Sequence, residues 1–348
     1  MFNPPDPFFS YAVLIDAIAL ILTLLLILAA IYLRMALNRR VQQERDFFAV
    51  WRPLMLSSLD SSVWAALPSL ASSDRMYFLK LWNDLMRSAT GNASGNLIRI
   101  ALGVGADRFS RRMLRHGSRA ECLLATIALG YLRDHSARDA LVTQTMAADS
   151  VTSLHAFHAL VRIDADTAAS ELTPLMLARE DWPVAQVASI LQPSQSAFML
   201  PLLEATAEIR ATHLARTLRL IEALHLTLPH ATIASLLQQE NPQTVIGALR
   251  IANDVGLLPL IRQHLHHPDW RARLQSARAL GRIGEYTDVN RLVPLLADKE
   301  WWVRYRSAQA LVGMSFFSLT EAEMLRTNLS DRFARDMLAQ AIAERYAS

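Results

Sequence analysis

A single cysteine, Cys122, stands in the whole chain. It excludes an internal disulfide framework, provides no second thiol for a zinc knuckle, and fits a reducing compartment. Glycine is scarce at 11 of 348 residues, and stretches of alternating Val, Ile and Thr are missing, so little in the sequence favours strands and tight hairpins. Net charge is also small. At +3 it gives no general case for a polyanionic partner, because arginines and carboxylates are interspersed. Nor is there a P-loop, a nucleophile elbow, a zinc-ligand spacing or a His-Glu dipeptide. No catalytic residue, metal ligand or cofactor site is therefore assigned, and the chain does not read as an enzyme.

Helix formers fill the space these absences leave. Hydrophobic residues make up 52% of the chain, and runs of Ala, Leu, Arg, Gln and Glu dominate it, which predicts an all-α protein. Tyr11 to Leu33 reads YAVLIDAIALILTLLLILAAIYL, with Asp16 its one charge. That length predicts a single transmembrane helix. The preceding MFNPPDPFFS has no basic residue, unlike a signal peptide, whereas Arg34, Arg39, Arg40, Arg45 and Arg52 all follow the span. The asymmetry predicts a bacterial inner-membrane protein with its N-terminus outside and its bulk in the cytoplasm. Residues 34–52 then read as a basic juxtamembrane helix or linker.

The organising feature is a repeat. LHHPDWRARLQSARALGRIG, from Leu265, realigns on LADKEWWVRYRSAQALVGM, from Leu296, after the 31-residue step that carries Trp270 onto Trp301. Arg273 then falls on Arg304, Ser276 on Ser307, Ala279 on Ala310 and Leu280 on Leu311. Weaker copies around Ala128, Ala159 and Ala248 extend the ladder, with degenerate rungs near Ile190 and Thr217. Two helices and a turn fill such a unit, whose apolar face is buried only by its neighbours. Asp269 and Glu300 stand where acids cap second helices, and Leu274, Ala277, Leu280 and Gly281 share the expected core face. Arg273 and Arg304 are expected to pair with acids across repeats. Thr320 with Glu323 forms a candidate capping box, and Ser330 a candidate start for a last helix ending near Tyr346.

The string D-W-R-x-R-x-x-S-A-R-A-L-G-R-I-G resembles the HEAT repeat of the short, phycobilisome-lyase-like class, and membrane-anchored bacterial HEAT proteins have this general look. The likeness covers residues 257–314 and extends in fainter form back to 119. It implies an α-solenoid that binds other proteins. The expected organisation is a periplasmic N-terminus (1–10), a transmembrane helix (11–33), a basic juxtamembrane segment (34–52), irregular capping helices (53–118), HEAT-like repeats (119–314) and C-terminal capping helices (315–348). Within the capping region GNASGN and GVGAD read as turns, and the Asn92 sequon as unused in a cytoplasmic domain.

Two histidine groups share an i, i+3 spacing: His264 and His267, beside His266 and Asp269, and His155 with His158. Neither brings a cysteine or a paired carboxylate, so both read as turn or surface histidines. In such arrays the second helices line the concave side, and their non-core stripe is the natural contact surface. It comprises Arg271, Gln275, Arg278 and Arg282 in one repeat, Trp302, Arg306 and Gln309 in the next, and His155, His158 and Arg162 in the Ala159 repeat. Arginine with aromatics suits an interface that receives an acidic segment of a protein partner. Two other roles follow from resemblance alone: an accessory subunit of an inner-membrane complex for envelope-polysaccharide synthesis or export, and a nucleic-acid-binding HEAT-like protein, which tethering and balanced charge disfavour.

Overall fold

The computed structural model describes residues 7–60, 67–208 and 211–346, with the side chains at 7–19, 36, 37, 39, 40, 60, 207, 208, 211 and 212 left out. Among the described residues every regular element is a helix. The chain divides into two compact units, 1–146 and 147–348. The division falls beyond the expected boundary at residue 119, because the helix that carries Ala128 packs with the helices before it.

The first unit contains α1 (Pro7–Asp60), α2 (Arg75–Ser88), α3 (Gly91–Gly103), α4 (Ala106–His116), α5 (Arg119–Tyr131) and α6 (Arg138–Thr145). Its core is aromatic. Trp51 of α1 meets Phe78 of α2 edge-on at 5.3 Å between centroids, and the buried Trp82 Nε1 donates to the Leu97 carbonyl at 2.8 Å. Asn96 Nδ2 donates to the Ser58 carbonyl at 2.8 Å, so α3 supplies a partner near the C-terminal end of α1. The expected turn at GNASGN is instead the first part of α3. The turn is confined to extended Thr90 and to Gly91 at φ +54°, after which the chain is helical. GVGAD does turn, through Gly105 at φ +73°.

Among the described residues, no helix is long and apolar enough to cross a membrane. This overturns the expected transmembrane helix at 11–33, and with it the placement at a bacterial inner membrane with the solenoid in the cytoplasm. Residues 1–6 and the side chains of 7–19, Asp16 included, lie outside the described residues.

The second unit contains α7 (Ser150–Ile163), α8 (Ala165–Ala178), α9 (Val184–Leu191), α10 (Gln195–Glu208), α11 (Ala211–Ala223), α12 (His230–Leu237), α13 (Pro242–Ile251), α14 (Leu258–Gln263), α15 (Trp270–Ile283), α16 (Val289–Leu292), α17 (Trp301–Gly313), α18 (Leu319–Asn328) and α19 (Arg332–Tyr346). Helices α7, α9, α11, α13, α15, α17 and α19 pack in series as one layer. Their partners back them: α8 on α7, α10 on α11, α12 on α13, α14 on α15 and α16 on α17. This is a solenoid, in which an apolar face that one hairpin cannot cover is covered by the next.

Small residues set the spacing of the layer. Ala159, Ala248, Ala279 and Ala310 are buried, and a Cβ on Gly281 would lie 2.9 Å from both Cα and Cβ of Ala310. Glycine is required at 281 because α15 and α17 touch backbone to side chain there. Leu274 and Gly281, expected in the core with Ala277 and Leu280, are only half-buried.

Capping departs from expectation in instructive ways. Asp149, Asp164, Asn241 and Asp269 each accept a backbone N–H at the start of a helix. Glu300 precedes α17 without capping it, and its own amide donates to Asp298 Oδ1 at 2.9 Å. The capping box is Ser318 with Glu321, not Thr320 with Glu323, and Asp331, not Ser330, receives the Ala334 amide at the start of α19. Arg273 pairs with Asp298 as expected, but Arg304 donates to the carbonyl of Asp298 at 2.8 Å and lies over the Phe333 ring. Arg273 makes the equivalent bonds to the carbonyls of His267 and Pro268, so Arg304 keeps the carbonyl contacts and lacks only the acid: the residue one repeat beyond Asp298 is Leu329.

Candidate partner-binding face

Helix α15 turns three different sides to its surroundings. Ser276, Ala279 and Leu280 point into the core, and Gly281 meets α17. Arg282 reaches back to α13, where its Nη2 donates to the carbonyls of Ala252 at 2.9 Å, Arg250 at 3.1 Å and Leu249 at 3.3 Å. Burial of that guanidinium, and then the charge of Arg278, push its pKa below the ordinary arginine value. Arg282 thus neutralises the C-terminal end of a helix and is not free for a partner. Gln275, predicted on the stripe, is 7% exposed, and its Oε1 has no hydrogen-bond partner. What remains open on α15 is Arg271, held by Asp269 at 2.7 Å, together with the half-buried Leu274 and the exposed Arg278, which makes no ion pair with a described residue.

On α17 the open side is aromatic. Trp301 and Trp302 are 40% and 50% exposed and meet edge-on at 4.7 Å, while Trp301 stacks on Tyr305 one turn later at 5.1 Å. The Arg306 guanidinium lies 5.6 Å from the Tyr305 ring and donates to Gln309 Oε1 at 2.6 Å. Gln309 Nε2 donates in turn to the Tyr305 hydroxyl at 2.7 Å and to Glu344 Oε2 at 3.1 Å. The Tyr305 hydroxyl donates to Glu344 at 2.9 Å, and this bond raises the phenol above its ordinary range. Bonds from Gln340, Tyr305 and Gln309 hold the Glu344 carboxyl below its own. These contacts fix the rotamers of Tyr305, Arg306 and Gln309 against α19, so the aromatic group is preorganised on the surface.

Of the stripe predicted from sequence, Arg271, Arg278, Trp302, Arg306 and Gln309 stand on adjacent helices. Trp301, Tyr305 and Glu344 belong to the same cluster and were not predicted. The i, i+4 spacing of Trp301 and Tyr305 could have found the first two, whereas nothing local signals Glu344 on another helix. His155, His158 and Arg162 lie on α7, which is separated from α15 in the layer by α9, α11 and α13. There Arg162 Nε donates to His158 Nε2 at 2.8 Å, and His155 Nδ1 bonds the Val151 carbonyl at 2.8 Å. Burial first, then the charge of Arg162 and the neighbouring His155, lower the His158 pKa to about 4. It is uncharged at neutral pH, as an acceptor for arginine must be.

Among the described residues, no group of three or more His, Cys, Asp or Glu side chains is placed to hold a metal ion. His264 Nε2 bonds the Leu237 carbonyl at 2.9 Å, and His267 Nδ1 accepts the Asp269 amide at 3.0 Å. The first ties this segment to the end of α12, and the second serves the turn before α15.

The architecture is thus an all-α solenoid of stacked hairpins. Residues 231–312, running from α12 nearly to the end of α17, match the family model described as HEAT repeats, and that stretch is a run of HEAT repeats. No curated protein matches the sequence. Among solved structures the chain is similar to Kap121p, with a TM-score of 0.49 and 11% identity over 81% of this chain. It spans 38% of the length of that protein. The X-ray structure of the E. coli protein YibA is similar at a TM-score of 0.36 and 12% identity, over 81% of this chain and 100% of the other.

Proposed function

We propose that this chain is a protein-interaction scaffold that receives a partner protein on the open faces of α15 and α17. The observation that carries the reading is the preorganised surface cluster of Trp301, Trp302, Tyr305 and Arg306 on α17, which packs in the layer against α15 with its exposed Arg271 and Arg278. Large aromatic rings left half in water gain by burial against a second surface, and Trp, Tyr and Arg are the residue types that dominate interface energetics. The exposed Arg278 adds a preference for an acidic segment. Repeat solenoids suit this work, because stacking generates an extended surface without demanding a catalytic cleft. Gln275 and Arg282 are excluded from the contact set, since one is buried and the other is committed to α13.

The test is affinity purification with quantitative comparison of the wild-type chain, Trp302→Ala and Arg278→Glu. A specific partner recovered with the wild type is expected to be depleted on the order of tenfold by Trp302→Ala. Arg278→Glu should weaken the same partner, with the loss growing at low ionic strength. Equal recovery of every partner by both variants, with helical circular dichroism unchanged, would overturn the reading.

A further inference from the structure

Helix α4 carries a second charged surface, in the other unit, that the face on α15 and α17 does not explain. Its inward side is settled: Ala106, Phe109, Ser110 and Leu114 are buried. Its sole carboxylate is also committed, because Asp107 accepts from Arg111 at 2.9 Å and Arg111 binds Asp134 at 2.6 Å as well. Outside stand Arg108, Arg112 and Arg115, all exposed, spaced four and then three residues apart, and followed by the exposed His116. That spacing places the three guanidiniums along one ridge, with axial steps of about 6 Å and 4.5 Å. None of the three makes an ion pair or hydrogen bond with a described residue.

Two other exposed cations of this unit stand beside acids: Lys80 bonds Glu44 at 3.0 Å, and Arg87 lies 3.6 Å from Asp84. Like charges one turn apart oppose helix formation. The helix dipole compensates Arg115 in the last turn but disfavours Arg108, which lies in the first. No described residue pairs with the ridge, so an external anion is its natural complement.

We infer that the Arg108–Arg112–Arg115 ridge of α4 docks an acidic helical segment of another protein, with carboxylates one turn apart. Guanidinium forks match carboxylates bidentately, and a helix bearing Glu at i, i+4 and i+7 presents the same spacing in complementary charge. Nucleic acid is the poorer match. Three cations on one short helix displace few counterions, and the aromatic ring of α4, Phe109, is 7% exposed beneath the Arg75 guanidinium, so no base can stack there.

The experiment measures fluorescence anisotropy of a dye-labelled, alanine-based helical peptide with Glu at i, i+4 and i+7, titrated with the full-length chain. The wild type is expected to bind it more tightly than a peptide of the same composition with the glutamates scrambled. Combined Arg108→Glu, Arg112→Glu and Arg115→Glu should weaken binding at least about tenfold, whereas Arg87→Glu, at an exposed cation outside both surfaces, should leave it unchanged. A second variant with glutamine at the three positions decides the matter if the charge reversal alters the circular dichroism. Failure of the wild type to bind the peptide, equal binding of wild type and glutamine variant, or no difference between ordered and scrambled peptides would each overturn the inference. Tighter binding of a single-stranded oligonucleotide that is abolished by the same substitutions would assign the ridge to nucleic acid and overturn it too.

Discussion

Arg273 of α15 grips Asp298 of the turn before α17 through two parallel bonds, Nε and Nη2 each at 2.8 Å from a carboxylate oxygen. The same guanidinium donates Nη1 to the carbonyls of His267 and Pro268, at 2.9 and 3.1 Å. One side chain thereby ties the entry of its own helix to the entry of the next. Both side chains are about nine-tenths buried. Removing either leaves a charge in poor solvent without its counterion, so Arg273→Ala or Asp298→Ala should cost about 3–5 kcal/mol in chemical denaturation. Burial alone would raise the Asp298 carboxyl, but the bond from Arg273, the Glu300 amide and the Arg273 charge outweigh it, and its pKa lies below the ordinary value. The sign follows from linkage: this stabilisation is complete above the unfolded carboxylate range and drains away as pH falls through the folded value. Asp298→Asn should therefore flatten the acid limb of the stability curve below about pH 4.

His158 predicts a second pH dependence in a different window. Its folded pKa of about 4 lies below the ordinary histidine value of 6.5, so the unfolded chain takes up a proton that the folded chain refuses. The stability contributed by the neutral ring is complete above pH 6.5 and declines between 6.5 and 4. Replacing His158 by glutamine should remove that slope while leaving the lower, carboxylate-dependent one, as read from urea midpoints across the range.

Gly281→Ala tests the contact between α15 and α17. Alanine is the better helix former by about 1 kcal/mol, yet its Cβ would meet the Cα and Cβ of Ala310 at 2.9 Å. Backbone cannot yield as a side chain does, so net destabilisation of about 1–3 kcal/mol is expected. An unchanged or raised denaturation midpoint would show that the two helices are not pressed together there.

Equivalent serines in successive repeats should respond differently to the same change. Ser276 Oγ donates to the Ile261 carbonyl of α14, whereas the buried Ser307 Oγ has no partner. Ser276→Ala should cost about 1 kcal/mol, and Ser307→Ala should be neutral or stabilising, since it removes a hydroxyl buried without compensation. Parallel denaturation of the two variants gives the comparison directly.

Much of the solenoid was legible because its repeat shows at two levels. The 31-residue step brought Ala279 onto Ala310 and Ser276 onto Ser307, and all four are buried. Local signals misled where they had near-duplicates: Ser318/Glu321 and Thr320/Glu323 satisfy the same spacing, and only the backbone chooses the first. Gln275 reads as a polar surface residue by type, but a helix in a packed layer has a neighbour on either flank, and Gln275 is shut in. The Tyr305–Gln309–Glu344 network joins helices whose pairing no i, i+4 rule encodes. Arg34 to Arg52 and the apolar run before them suggested a membrane crossing that no described helix is long and apolar enough to make.

The clasp of Arg282 on three carbonyls at the end of α13 bears on how this array would respond to force. In a stack where each hairpin leans only on its neighbours, tension along the axis opens the seam with the fewest directional bonds across it. The α13–α15 seam has a charged rivet near one end in addition to its apolar filling, so under load it would outlast seams held by packing alone.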